Sequence, residues 1–443
     1  MKFIALAVLC LAGLSSAQDK TARLPAAEAT TLRAAYAEAL EKHDARSRST
    51  LLALGKKLEG KYAFDDLRDA LRKGPLLDAS ALKPRKVEKK PEEFHRFGTT
   101  TVGYTFECDA GVFRYAVDVP SSYDPKQPVA VLLDPGHGSG ASKNDEEKAG
   151  FVPFYRTQCD RAGFEDWLIV RTEIIEQIGS GGLRGDLPEE QIAAVFQSLW
   201  RDIASRFAID CDRLYATGLS QTGYWSWYLG RASADRYAGI APMSAVTWQV
   251  DAYLANYVNL PMFVLHGDED KICKVEQPRA TCAKLEELGF AVKYVEVAGS
   301  GHDVKTWARL PEALEWLAAK PRAKYARKIA KSYQTLADPW CGWIRVEALE
   351  KTGDGKAITR PTATLAAEIE GQVVRITSKG VERATVFLSR ELLDLGAPVE
   401  VQWNEKSVFS GKLDREFAGM LDVALERVDW TQTFECSKEM LAP

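Results

Sequence analysis

The sequence has almost no excess of charge of either sign: 58 Lys and Arg stand against 62 Asp and Glu, a formal net charge of −4 over 443 residues. Without a basic field there is little to hold a phosphate backbone, and nucleic-acid binding is not expected. Long hydrophobic runs are also missing. The most apolar stretch, residues 3–14, is shorter than the roughly 20 residues of a membrane-spanning helix, so no stable membrane insertion is expected. It follows Met1-Lys2 and precedes Ser15-Ser16-Ala17-Gln18, the pattern of a signal peptide over 1–17 cut after Ala17. The expected location is therefore secreted or periplasmic. Histidine is scarce, at five, and neither the histidines nor the eight cysteines fall at metal-ligand spacing, so no metal is expected. Cys10 leaves with the signal, and the remainder is odd in number, so at least one thiol stays free. Cys273 with Cys282 and Cys341 with Cys436 are candidate pairs; ordinary buried thiols are the equal alternative.

What is present is apolar material for a large core, 46% of the residues, in a chain long enough for more than one structural unit. Residues 18–95 form a helical region and linker. Leu32, Tyr36, Ala39 and Leu40, then Leu51, Leu54 and Leu58, then Phe64, Leu67 and Leu71 fall at helical spacing, and Gly60 and Gly74 separate the helices. A charged, proline-bounded linker covers 83–91. Over 96–322 short strand-like runs alternate with helical ones, which predicts a mostly parallel sheet covered on both faces. The candidate strands are 99–107, 113–119, 129–133, 167–171, 213–217, 238–242, 262–265 and 292–297. The first two can pair as a hairpin across Asp109-Ala110-Gly111. Candidate helices are 154–162, 189–207, 223–231, 277–288 and 305–319. Residues 323–443 read as a linker helix and a β-rich accessory domain. Tyr325, Ile329, Tyr333 and Leu336 lie on one helical face with Lys324, Arg327, Lys328 and Lys331 around it. Alternating strands follow at 373–377, 383–388, 399–403 and 407–410, with a hairpin turn at Asn404-Glu405.

Three segments concentrate residues suited to nucleophilic chemistry. A short apolar strand runs into Gly218-Leu219-Ser220, after which Gly223 opens a helix. Small neighbours permit the sharp strand-to-helix turn that exposes a serine oxygen, and the helix start favours negative charge. Thr222 stands where the second glycine of Gly-x-Ser-x-Gly would be. The second segment ends a buried strand in His266-Gly267-Asp268-Glu269-Asp270. A carboxylate at the carboxyl end of a strand can fix an imidazole tautomer. Asp270 is the favoured acid; Asp268 and Glu269 are rivals that otherwise cap the next helix. A divalent-metal site built on this trio lacks further ligands in the sequence. The third segment, Ala298-Gly299-Ser300-Gly301-His302-Asp303, carries His302 on a glycine-rich loop, with an intrinsic pKa of ~6.5 suited to proton transfer.

Ser220, Asp270 and His302 occur in the chain order of α/β-hydrolases. Residues 103–317 resemble secreted esterases of that superfamily, related to polyhydroxybutyrate depolymerases, feruloyl esterases and the catalytic domain of prolyl oligopeptidases. The resemblance rests on Ile209-Asp210-Cys211-Asp212-Arg213-Leu214-Tyr215 leading into Gly218-Leu219-Ser220, on His266-Gly267-x-x-Asp270, and on Gly299-x-Gly301-His302. It implies the α/β-hydrolase fold, an eight-stranded mostly parallel sheet with helices on both faces. It also implies Ser220 as nucleophile, His302 as base and Asp270 as orienting acid, with no cofactor. Two backbone N–H groups would form an oxyanion hole: that of Gln221, and one from the loop Asp134-Pro135-Gly136-His137-Gly138, with His137 favoured over Gly138. The His137 imidazole is equally a candidate substrate contact. Pro135 stands where such enzymes have histidine. Among Trp225, Trp227, Trp248 and Trp307, only Trp248 is favoured as a substrate contact. The tail, through 394–399 and 408–411, resembles an accessory β module on secreted hydrolases of planctomycete-type bacteria. The expected substrate is a carboxylic ester, an acetyl or feruloyl ester of polysaccharide or a polyester. A serine peptidase of prolyl-oligopeptidase type is the alternative, although neither end of the chain is long enough for the propeller such enzymes carry. A non-catalytic secreted binding protein is the alternative of another class.

Overall fold

The structure is a computed structural model describing residues 22–77, 101–136, 151–177, 189–247, 249–350 and 361–443. The signal segment, the 83–91 linker, His137, Gly138 and Trp248 lie outside the described residues. Eight strands form one sheet: β1 Thr101–Cys108, β2 Gly111–Asp118, β3 Val129–Asp134, β4 Leu168–Thr172, β5 Ile209–Leu219, β6 Gly239–Met243, β7 Met262–Gly267 and β8 Val292–Val297. Their order is β1-β2-β4-β3-β5-β6-β7-β8. β1 and β2 form the expected antiparallel hairpin, β2 meets β4 antiparallel, and the pairings from β4 to β8 are parallel. This is the α/β-hydrolase fold with a further C-terminal β domain.

The central strands β3, β4 and β7 are buried at every residue and begin in apolar runs because both faces are covered. Along β3, Ala130 and Leu132 point to one face and Val131 and Leu133 to the other, the period-two alternation of a strand. The first face packs under α4 Phe151–Arg161 and α10 Leu310–Ala318. The second packs under α6 Glu189–Arg206 and α7 Gln221–Ala232. Here α5 is Ile174–Gln177, α8 is Glu276–Glu287 and α9 is Val304–Trp307, so the expected helix 305–319 is two helices.

The N-terminal helices, α1 Ala26–Lys42, α2 Ala45–Glu59 and α3 Phe64–Arg72, do not stand apart as a separate region. They share one core with α6 and with a helix from the far end of the chain, α11 Phe417–Arg427. The Tyr36 hydroxyl donates to the carbonyl of Ala424 at 2.9 Å, and its ring meets Trp430 edge-on at 6.3 Å. A side chain at Gly55 would collide with Leu421 at 2.6 Å, so α2 and α11 touch backbone to side chain.

The expected linker helix is corrected by the structure: Lys328–Tyr333 is a strand, β9. Tyr325, Ile329 and Tyr333 are four apart, and a spacing of four is a multiple of two as well as one helical turn, so both readings place them on one face. Lys331 decides the difference. It is buried rather than solvated, and its Nζ donates to the carbonyls of Ala232, Trp340 and Asp338 at 2.6, 2.8 and 2.9 Å. The C-terminal domain holds two sheets, ordered β16-β15-β13-β12-β9 and β10-β11-β14-β17. Its strands are β10 Trp340–Cys341, β11 Ile344–Leu349, β12 Ala363–Glu370, β13 Val373–Lys379, β14 Val381–Leu388, β15 Val399–Trp403, β16 Lys406–Gly411 and β17 Cys436–Leu441. Asn404 and Glu405, with φ of 47° and 66°, form the β15–β16 turn, the two-positive-φ geometry suited to a tight hairpin.

The candidate disulfides are also corrected. Cys273, Cys282, Cys341 and Cys436 are all free and buried. Cys282, Cys341 and Cys436 are small buried side chains of the core.

One buried ion pair ties the C-terminal segment to the hydrolase sheet. Arg322 Nη2 lies 2.6 Å from Asp429 Oδ2, and its other nitrogens donate to the carbonyls of Asp235 and Cys211. Burial alone would raise the Asp429 pKa, but Arg322 and Arg427 outweigh it and hold the carboxyl below the usual range. A depressed carboxyl stabilises fully above its unfolded value, ~3.9, and this contribution fades as pH falls from there through the folded value. Asp429→Asn strands a buried guanidinium, and urea unfolding at pH 7 is expected to show a loss of about 3–5 kcal/mol. At pH 3 the difference from wild type should shrink. Removing the exposed Arg48–Asp422 pair should cost under about 1 kcal/mol at either pH.

Candidate active site

Ser220 sits between β5 and α7 with φ 55° and ψ −120°, a backbone conformation that L-residues adopt only when the surroundings impose it. Three contacts impose it here. The Ser220 N–H donates to the carbonyl of Met243 at 2.8 Å, pinning the turn to the end of β6. Gly218 has no room for a side chain, since a Cβ would lie 2.4 Å from Thr222 Oγ1 and 2.5 Å from its carbonyl carbon. Gly223 is equally tight, 2.8 Å from both the Ala245 Cβ and the Met243 carbonyl, where α7 crosses β6. The glycine demanded by the crossing is therefore Gly223. Position 222 is free for a threonine, and Thr222 Oγ1 accepts from the Leu219 N–H at 2.9 Å and closes the turn. Gln221 opens α7, so its N–H has no carbonyl one turn earlier in the helix and stands at the positive end of the dipole.

The loops after β7 and β8 are latched together. A Cβ on Gly267 would meet the carbonyl oxygens of Gly301 and Ser300 at 2.4 Å, so only glycine lets the two backbones pass. The Glu269 N–H donates to the Ser300 carbonyl at 2.9 Å. Asp303 holds the second loop from below, accepting from Ser300 Oγ at 2.7 Å, Lys305 N–H at 3.0 Å and Gly301 N–H at 3.1 Å.

This frame sets Asp270 Oδ2 at 2.7 Å from His302 Nδ1. Asp270 Oδ1 accepts from the N–H groups of Cys273 and Ile272 at 2.8 and 2.9 Å. Of the three neighbouring acids, Asp270 is the one that meets His302. Asp268 and Glu269 instead use their backbone N–H groups to hold the β8 end and the His302 loop. The His302 ring is mostly buried, and Trp307 packs against it edge-on at 6.1 Å. Trp225 and Trp227 are core residues of α7.

Two residues of the site carry no signal in a triad pattern. His266, fully buried, has Nε2 at 2.6 Å from the Cys273 carbonyl and 3.5 Å from Asp270 Oδ2. Burial lowers its pKa, against the Cys273 carbonyl and Asp270, which raise it. Cys273 thus supports Asp270 through its N–H and His266 through its carbonyl, and its thiol lies against the Ser220 hydroxyl. The spacing of three from Asp270 to Cys273 is the only trace of this in the sequence. Among the described residues Ser220 Oγ makes no hydrogen bond to His302.

Burial pushes the Cys273 thiol up to about 11, and Asp270 adds to the shift, so the group is protonated at neutral pH and is a poor nucleophile. Iodoacetamide at pH 7 is expected to leave hydrolysis of an activated ester unchanged over the time in which a fluorophosphonate abolishes it. Rapid inactivation by iodoacetamide would identify the thiol as the reacting group instead.

Pro135 and Gly136, which lead into the loop of His137, are fixed by β4. Thr172 Oγ1 donates to the Pro135 carbonyl, and Gly136, at φ 105°, lies so close to the Thr172 carbonyl that a Cβ would meet it at 2.2 Å. A buried pair, Arg171 Nε to Asp134 Oδ2 at 3.4 Å, closes the strand ends beneath. Among the described residues no helix is long and apolar enough to cross a membrane.

No protein-family model matches the chain, and no curated protein matches it either. Solved structures are similar over about half of it. A thermostable esterase is 19% identical, covering 50% of this chain and 63% of its own, with a TM-score of 0.40. A ferulic acid esterase of the anaerobic fungus Anaeromyces mucronatus is 12% identical over 54% and 98% of the two chains, with a TM-score of 0.39. Dipeptidyl peptidase 4 of Porphyromonas gingivalis is 10% identical over 50% and 36%, with a TM-score of 0.36. The chain spans less than two thirds of the first and third of these proteins. Its chemistry has to be read from its own residues.

Proposed function

We propose that the chain is a secreted serine hydrolase that cleaves carboxylic esters through an acyl-enzyme. In this reading Ser220 attacks the ester carbonyl as His302 takes its proton, and Asp270 stabilises the imidazolium through the Nδ1 hydrogen bond. The Gln221 N–H, at the start of α7, is one donor to the oxyanion, and the loop through His137 supplies the other. Water then releases the acyl group with His302 as base. The observation carrying the reading is the strained serine at a helix start in the same cluster as a buried aspartate hydrogen-bonded to a histidine, all at the carboxyl ends of parallel strands. Catalytic hydrogen bonds are often long without substrate, so the Ser220 hydroxyl would turn from Cys273 toward His302 when a carbonyl arrives.

An ester is favoured over a peptide by where the accessory domain sits. Among the described residues, Lys331 and Asp338 of that domain meet Ala232 and Ser233 at the far end of α7, away from Ser220. A domain docked there suits a polymer, a polysaccharide ester or a polyester, as substrate, with Trp248 as a candidate contact. Hydrolysis rates on p-nitrophenyl acetate, methyl ferulate and proline-linked p-nitroanilides are expected to rank the esters first. Turnover of the anilides alone would overturn the ester reading in favour of a peptidase, and turnover of none, with no fluorophosphonate labelling, would favour a binding protein.

A further inference from the structure

A second place in the molecule has unbalanced charge. A cavity of about 240 Å³ lies between α6, the far end of α7 and the C-terminal domain, away from Ser220. It reaches the surface at Ala194, which is exposed. Phe196, Trp200, Tyr228 and Tyr237 give it an apolar, aromatic wall. Four carboxylates line it, and each already faces a cation: Asp429 with Arg322 at 2.6 Å, Glu426 with Arg345 at 2.7 Å, Asp235 with Arg427 at 2.8 Å and Asp338 with Lys331 at 3.8 Å.

Among the described residues, two arginines on the same cavity have no such partner. Arg236 Nη2 donates to neutral acceptors, Gln197 Oε1 at 2.7 Å and the Arg427 carbonyl at 2.8 Å. Arg201 makes no hydrogen bond or ion pair among the described residues, and its Nε is buried without an acceptor. Burial and the field of Arg236 push the Arg201 guanidinium down to about 10, as expected of a charge enclosed without compensation. His43, at the end of α1, lies near enough for Arg201 to disfavour its protonation too. A half-enclosed guanidinium beside a second one is costly in an empty cavity and becomes favourable only against an anion.

We propose that this cavity binds a small organic carboxylate, its charge paired with Arg201 and Arg236 and its apolar body on the aromatic wall. Planar guanidinium forks match a carboxylate in two-bond geometry. An inorganic anion would leave the aromatic wall unused. The ligand would touch α6 and the far end of α7 together with Trp340 of the C-terminal domain, joining the two parts of the molecule.

The test is calorimetric titration and thermal shift of the full chain with benzoate, with benzamide as the neutral isostere and inorganic phosphate as the anion lacking a body. Protein whose Ser220 has been blocked by a fluorophosphonate is included, so that binding near the nucleophile is separated from binding here. Benzoate is expected to bind saturably below about 10 mM, equally well to blocked protein, and to raise Tm. Benzamide and phosphate should each bind at least about tenfold more weakly, and Arg201→Gln and Arg236→Gln should each cost benzoate at least about tenfold. Without ligand, Arg201→Gln should be no less stable than wild type, because the guanidinium has no partner to lose. Absence of saturable benzoate binding, equal binding of benzamide or phosphate, unchanged affinity in both variants, loss of binding on blocking Ser220, or unfolding of Arg201→Gln would each overturn the proposal.

Discussion

Ser220→Ala is expected to lower kcat on an activated ester by on the order of 10⁶-fold while leaving the fold intact. Alanine keeps the Cβ and the backbone demands of the turn, so the Met243 and Thr222 contacts that fix φ at 55° are retained and circular dichroism should be unchanged. Only the oxygen is lost. Ser220→Gly should be as inactive but more stable in urea, by about 1 kcal/mol. Relief of a conformation costing about 1–3 kcal/mol outweighs the extra chain entropy of glycine. A Ser220→Ala protein retaining more than a hundredth of wild-type kcat would show that the nucleophile lies elsewhere.

Asp270→Asn is expected to lower kcat by about 10⁴-fold, through a proton in the wrong place rather than through lost packing. The N–H groups of Ile272 and Cys273 both point at Oδ1, which must therefore remain an acceptor. In asparagine that position takes the amide oxygen, and the NH₂ falls where Oδ2 faces His302. Nδ1 must then accept, which moves the imidazole proton to Nε2 and leaves no lone pair there for the serine proton. Asp268→Asn and Glu269→Gln, whose contributions to the loop latch come through the backbone, should stay near wild type. A loss as large in either of these two as in Asp270→Asn would undo the assignment.

The sheet was legible because β3, β4 and β7 each open with a short apolar run, the texture of strands covered on both faces. Ser220, Asp270 and His302 stood out because each follows a strand at a break rich in glycine or acid. The choice of Asp270 over Asp268 and Glu269 was a preference in the sequence; the contact that distinguishes it, its Oδ2 at 2.7 Å from His302 Nδ1, joins two loops 32 residues apart that local pattern does not connect. The sequence left Cys273 between half of a disulfide and an ordinary buried thiol, because a cysteine carries no sign of what its backbone will hold. β9 was read as a helix because its apolar residues are four apart and its lysines looked solvated. Lys331 is buried under three carbonyls, two from the turn that follows and one, that of Ala232, 99 residues away, and local periodicity registers neither the turn nor the distant segment.

The packing of α1 and α2 on α11 also sets an order in time. Tyr36 and Ala424, whose hydroxyl and carbonyl meet, are 388 positions apart, close to the full span of the chain. Closing so large a loop is slow and is repaid only after both ends exist. As the chain emerges from the ribosome, α1 and α2 are made well before α11 and wait with part of their apolar face uncovered until it arrives. The helix α11 therefore acts as a clasp on α1 and α2, and deleting it would expose the apolar surface of both.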